Sequence, residues 1–130
     1  MIVDSSALIA ILRQEPEAAR FLQAIGHSTP ALLSAATFVE ASILLQVRFG
    51  DHAVRSLDLL MTQLAIEVVT VTAEQALLAR RAFRQYGKGL HPASLNFGDC
   101  FAYALAKDSG LPLLCKGTDF PQTDLLLAIY

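Results

Sequence analysis
The sequence predicts an α/β domain built around a mainly parallel sheet, and three observations predict it. Short apolar or β-branched runs alternate with helix-period segments along the whole chain. Capping residues, glycines and prolines fall at the joins between them. The composition is 54% hydrophobic against 17% charged over 130 residues, enough apolar side chain to bury a full core. That length suits one compact domain over residues 1–130.

Ile2-Val3 reads as the first strand, and Asp4-Ser5-Ser6 as a sharp turn with capping chemistry into a helix through Leu12. Glu15-Pro16 opens a second helix, because proline suits the first helical position, and Gly26 ends it. Ala31 to Leu33 forms a second strand. Ser34 caps a helix that runs to about Phe49, and Gly50 stops it. Asp51 opens the next helix, with Val54, Leu57, Met61 and Leu64 at helical spacing. Ile66 to Val71 is rich in β-branched residues and reads as a strand. Thr72 and Gln75 have the spacing of a capping box for a helix reaching about Tyr86.

Gly87 to Leu95, with two glycines and a proline, reads as a loop. Asn96 caps a helix over Phe97–Ser109, closed by Gly110. Leu113 to Cys115 forms a fourth strand, and a fifth, edge strand is expected over Leu125–Ile129. In such sheets, sites form beyond the carboxyl ends of the strands.

Composition narrows the function. A formal net charge of −2 argues against a strong, nonspecific DNA binder. No apolar run approaches the ~18 residues that span a bilayer, and the start Met1-Ile2-Val3-Asp4 lacks a basic signal-like region, so the cytoplasm is the expected location. Cys100 and Cys115 form neither a disulfide framework nor a zinc motif and read as small core residues. His27, His52 and His91 are scattered and read as surface or loop residues.

Four acids stand out. Asp4 ends the first strand, where it either caps the following helix or projects into the crevice at the sheet edge. Glu40 interrupts the stripe Ala36, Val39, Ile43, Leu44, Val47, which is expected to pack on the sheet. A carboxylate buried there needs a cation or donors. Arg48 is eight residues away, about two turns of helix, too far for a local pair. Asp99 lies in the first turn of its helix, a favoured position for aspartate in any case. With Asn96 supplying the cap, Asp99 is expected to face outward. Asp119 follows the fourth strand and a glycine turn, either as a site residue or as an ordinary turn residue. Carboxylates held close together repel, and a divalent cation relieves that repulsion. Mg²⁺, with Mn²⁺ as a substitute, prefers such all-oxygen donors.

Four segments then carry a family resemblance: Met1-Ile2-Val3-Asp4-Ser5-Ser6-Ala7; Phe38-Val39-Glu40-Ala41-Ser42 after Ser34; Leu95-Asn96-Phe97-Gly98-Asp99-Cys100-Phe101-Ala102-Tyr103-Ala104; and Leu113-Leu114-Cys115-Lys116-Gly117-Thr118-Asp119-Phe120, with Thr123-Asp124 behind it. In order and spacing the chain resembles a PIN domain of the VapC toxin type. The resemblance implies a three-layer α/β/α fold with a central sheet of four to five strands, and a Mg²⁺-dependent endoribonuclease. It implies Asp4 and Asp99 as direct metal ligands, Glu40 as a ligand often acting through water, and Asp119 as the fourth acid. Ser6 and Asn96 become hydrogen-bonding supports. Thr118 stands where relatives often carry a further polar or acidic residue.

Arg80, Arg84 and Lys88, spaced four residues apart, form a basic stripe with Arg81 beside it, suited either to RNA phosphates or to plain solvation, and Lys116 is the nearer phosphate candidate. A second apolar face, Phe38, Ala41, Leu45 and Phe49, is either an internal helix contact or, with the Asp51–Leu64 helix, a groove for an amphipathic partner. The resemblance supplies a VapB-type antitoxin and a homodimer as partners. Other Asp-ended first strands fit less well. A haloacid dehalogenase phosphatase needs an Asp where Ser6 stands, a receiver domain needs an acidic pair, and a flap endonuclease needs more chain.

Overall fold
The computed structural model describes residues 1–130. Strands β1 (Ile2–Val3), β2 (Ala31–Ser34), β3 (Ile66–Val69) and β4 (Leu113–Leu114) form one parallel sheet in the order β3-β2-β1-β4. Helices α1 (Ser5–Leu12), α2 (Ala18–Gly26), α3 (Ala35–Phe49), α4 (Asp51–Gln63), α5 (Ala73–Tyr86) and α6 (Phe97–Ser109) connect and cover it. No helix is long and apolar enough to cross a membrane.

Alternation along the strands makes the three layers. Val3, Leu33 and Leu114 point into one core with α1 to α4. Ile2 and Leu113 point into a second core against α5 and α6. Because both faces of the sheet are covered, the strands are almost wholly apolar. The register pairs Ile2 with Leu32 and with Leu113. Two residues further on, Asp4 therefore lies level with Ser34 and Cys115 at the carboxyl edge. Gly110, at φ +68°, ends α6 in a left-handed turn that β-carbon-bearing residues resist.

Three expectations change. The helix expected from Glu15-Pro16 begins at Ala18, because residues 16–17 form a turn. Leu125–Ile129 is not a strand: it touches β4 through the single bridge Leu113–Leu127, so the sheet has four strands. The face of α3 is reversed. Val39, Ile43 and Val47 are exposed, Val47 at 80%, whereas Thr37, Ala41 and Leu45 are buried. The helix is apolar on two sides, and α1 and α4 pack on the Ala41–Leu45 side. That leaves Phe38–Ala41–Leu45 as an internal contact rather than a partner groove.

This assignment predicts a contrast. Leu45→Ala should destabilise the fold by about 2–5 kcal/mol, while Val47→Ala should change it by no more than about 0.5 kcal/mol. Urea unfolding of the two variants measures it, and equal effects would mean the helix faces are misassigned.

Candidate active site
Asp4 takes the capping role expected of it. It is the N-cap of α1, and its Oδ2 accepts hydrogen bonds from the Ser6 backbone N–H (2.9 Å) and the Ser6 hydroxyl (2.6 Å). Its side chain is 2% exposed, yet Oδ1 is buried without a protein partner. Burial pushes this carboxyl above its ordinary pKa, the bonds from Ser6 and the Ser5 backbone pull it down, and the charge of Asp119 adds to the rise. Ser6 Oγ also accepts from the Lys116 backbone N–H at 2.9 Å, which commits the hydroxyl proton to Asp4.

Glu40 is half-buried, but not for the reason its sequence stripe suggested, since Val39 and Ile43 beside it are exposed. It lies at the seam between α3 and α6, with its carboxylate against Gly98. A β-carbon at position 98 would occupy the space of that carboxylate. The Ser5 hydroxyl approaches Glu40 Oε2 at 3.4 Å. Burial raises the Glu40 pKa first, the charge of Asp4 raises it further, and Ser5 partly offsets both.

Asp99 does not simply face outward beside a finished cap. Asn96 Oδ1 accepts from the Asp99 N–H (2.9 Å), and Asp99 Oδ2 accepts from the Asn96 N–H (2.7 Å), closing a reciprocal capping box. Its second oxygen is not used by the cap. The Asp99 carboxyl is pushed up to about 6, first by burial, against the pull of the Asn96 N–H, and then by the charges of Asp4, Glu40 and Asp119.

Asp119 is exposed and follows Gly117, whose φ of +107° suits only glycine. Thr118 is exposed, and its carbonyl accepts from Gln122 at 2.9 Å. Cys100 and Cys115 are buried with thiols raised to about 11 and about 12, so neither is a thiolate nucleophile or ligand.

The fold thus brings Asp4, Glu40, Asp99 and Asp119 close enough that Asp119 raises Asp4, Asp4 raises Glu40, and the other three raise Asp99. None of the four joins a salt bridge. Such a donor set fits a small, hard divalent cation, and the unpaired Oδ1 of buried Asp4 is the atom that most needs one. As the side chains stand, no three close on a single point. That suits an ion that keeps several waters and takes only one or two carboxylates directly.

Comparison with known proteins agrees with this geometry. The model of the PIN domain matches residues 1–126. Ribonuclease VapC30 of Mycobacterium tuberculosis is 49% identical over 125 residues, covering 96% of this chain and 95% of that protein. Ribonuclease VapC of Mycolicibacterium smegmatis is 47% identical over 125 residues, covering 96% and 97%. The chain belongs to the PIN-domain family, among the VapC ribonucleases. A solved structure of M. tuberculosis VapC20, described as a sarcin-ricin loop cleaving toxin, superposes with a TM-score of 0.77 at 18% identity, covering 96% of this chain and 95% of that one. At that identity the match speaks for the fold alone.

In this PIN domain two residues near the acids escape a reading by charge. Ser5 was visible only as capping chemistry, and Gly98 only as part of a motif. A signal for Gly98 existed, since glycine inside the first turn of a helix costs stability and calls for a reason. The basic candidates lie apart. Arg80 and Arg84 line a groove of about 680 Å³ between α5 and α6, with Phe83, Phe97 and Phe101. Lys116 is not a free phosphate ligand, because its ammonium is held by Glu15 and Glu17.

Two outcomes follow from this electrostatics. The Asp99 carboxyl titrates near 3.8 in a free chain and about 6 in the folded one, so folding tightens its proton. The stability this contributes is complete below about 3.8 and is lost as pH rises through about 6. In EDTA, Asp99→Asn, which keeps the capping acceptor, should therefore melt above wild type at pH 8, with the gap closing as pH falls below 6. A gap that does not depend on pH would refute the raised Asp99 carboxyl. Gly98→Ala should leave the helix content intact while displacing the Glu40 carboxylate. A crystal structure of the variant with Glu40 unmoved would contradict the contact.

Proposed function
We propose that this chain is a Mg²⁺-dependent endoribonuclease and the toxin of a VapB–VapC-type pair, acting in the cytoplasm. The observation that carries this reading is the group of four carboxylates without a cationic partner, one of them with an unpaired buried oxygen. The kinship with proteins named VapC ribonuclease supports the choice of RNA.

Asp4, through Oδ1, and Asp99, through the oxygen outside its cap, are the direct Mg²⁺ ligands in this reading, and Mn²⁺ could replace Mg²⁺. Glu40 and Asp119 hold the ion through water. When bound, the metal would lower the pKa of a water and offset charge on the scissile phosphate. A water would attack phosphorus in line with the 3′ oxygen, the P–O3′ bond would break as the new P–O bond forms, and the proton lost by the water would be balanced by one gained, through solvent, by the 3′ oxygen, leaving a 5′-phosphate and a 3′-hydroxyl. Ser6 fixes which Asp4 oxygen faces the site, and Asn96 does the same for Asp99. Thr118 adds no charge to the turn before Asp119. No side chain serves as a covalent nucleophile, and the protonated, buried cysteines agree with that.

The Arg80–Arg84 groove suits an RNA strand, with cations for phosphates and exposed Phe97 for a base. A VapB-type antitoxin and a homodimer complete the reading. Solved structures with this fold include a toxin–antitoxin complex from Klebsiella pneumoniae (TM-score 0.74, 18% identity, covering 99% of this chain and 97% of that one). Another is VapBC2 of Rickettsia felis bound to a DNA fragment from its promoter (TM-score 0.73, 14% identity, covering 97% and 94%). With the α3 face reversed, the open apolar surface for an amphipathic helix is the groove of Ser42, Ile43, Gln46, Val47 and Val54, about 310 Å³.

The deciding experiment is cleavage of labelled RNA and DNA by the purified chain with Mg²⁺ and with EDTA. RNA should be cut only with the metal, and Asp4→Asn should slow cutting by more than about 100-fold without loss of folded structure. Full activity in EDTA or in the Asp4→Asn variant would overturn the proposal.

A further inference from the structure
Lys116 occupies an unusual position. Its backbone N–H donates to Ser6 Oγ (2.9 Å), and that hydroxyl donates to Asp4 Oδ2 (2.6 Å). Its side chain packs on the connection between α1 and α2, about a hundred residues earlier in the sequence. There Nζ lies 2.6 Å from Glu15 Oε2 and 3.0 Å from Glu17 Oε2. Glu15 is also paired with Arg13 at 3.4 Å. All three Lys116-centred groups are partly buried, with side chains 34%, 23% and 25% exposed.

Two features show what this cluster does. In the turn after β4, Gly117, Thr118 and Asp119 are exposed and make no side-chain hydrogen bond; Gln122 holds the Thr118 and Asp119 carbonyls from the far side, and Lys116 holds the near end. The cluster also bridges the two chain segments that meet at Asp4, since α1 begins at Ser5 and the Lys116 turn follows the neighbouring strand. Holding the ammonium tethers the residue whose backbone N–H bonds Ser6 and limits how far that end of the turn can move. That N–H occupies a lone pair of Ser6 and aims its only proton at Asp4. A lysine meant for RNA phosphate would not be spent on two carboxylates.

We propose that Lys116 is a positioning residue: the Glu15–Lys116–Glu17 ion cluster pins the turn whose backbone N–H orients the Ser6 hydroxyl, one of the two donors that hold Asp4 Oδ2 and so turn Oδ1 to the site. The inference rests on the metal-nuclease reading above and adds the residues that hold its first ligand in place.

The test compares Lys116→Met, Lys116→Arg, the Glu15→Gln/Glu17→Gln double variant and the triple variant with Met at 116, all in the full chain. Mn²⁺ affinity is measured by calorimetry, RNA affinity in EDTA against salt, and kcat and KM on one RNA. Lys116→Met should weaken Mn²⁺ binding by about 10-fold and lower kcat by a similar factor with little change in KM. Lys116→Arg should recover most of both. The double variant should match Lys116→Met, and the triple should be no worse than either, because all act through one pin.

If removing the two glutamates instead tightens RNA binding and steepens its salt dependence, Lys116 is a masked phosphate contact and the proposal is overturned. Lower melting temperatures with unchanged Mn²⁺ affinity overturn it too, since the pair would then be merely structural. Should Lys116→Met not fold, the double variant carries the same readouts. Wild type that neither binds Mn²⁺ nor cuts RNA sinks the nuclease reading and this inference with it. Wild-type binding matched by every variant sinks this inference alone.

Discussion

Uncompensated negative charge at one edge of the sheet is the constraint around which the rest of the molecule is arranged. Burial raises the pKa of Asp4, Glu40 and Asp99, and each is raised again by a neighbouring acid. A fold optimised for stability alone would place an arginine or lysine there, because a buried carboxylate without a partner is costly. This one keeps its cations elsewhere. Lys116 is bound to Glu15 and Glu17, and Lys107 to Asp124.

Helix termini are the fold's partial answer to the charge. Asp4 caps α1 and Asp99 sits in the first turn of α6, so each has the positive end of a helix behind it. Glu40, in the middle of α3, has no such support, and Asp119 precedes only the single 3-10 turn Phe120–Gln122, which its side chain does not cap. The parallel register brings the termini together. Strands that run the same way end on the same edge, and each delivers the start of its next helix, or a turn, to that edge. The shortness of β1 matters here, because two residues carry the chain from Met1 to a buried Asp4 with α1 beginning at the next residue.

Local chemistry was the legible part of this chain. The limits of α6, its Asn96 cap and its Gly110 stop are written in adjacent residues, and so are the strands and the strand-end position of Asp4. What escaped depends on residues distant in sequence. Helix α3 offers two apolar faces, and only the packing of α1 and α4 decides which is inside. Glu40 was therefore singled out through a stripe that proves to be exposed. Its real constraint is Gly98 on α6. The engagement of Lys116 spans about a hundred positions to Glu15 and Glu17 and leaves no trace in local spacing. The tail after Thr123 looked strand-like because it is apolar, but it adds one bridge to β4 and no ladder.

The structural roles of these acids do not account for their charge. At the start of α1 an asparagine would accept the Ser6 hydrogen bonds about as well as Asp4 does, since both residues are strong N-caps. At the start of α6 an asparagine could close the same reciprocal box with Asn96 through its carbonyl oxygen. Glu40 caps nothing, and α3 would pack as well with a neutral glutamine. In each case the neutral substitute would keep the geometry and remove the repulsion. The charge therefore exceeds what the fold needs, and helix capping alone does not explain why acids from four distant segments stand at one edge; the proposed cation would offset the repulsion that capping leaves.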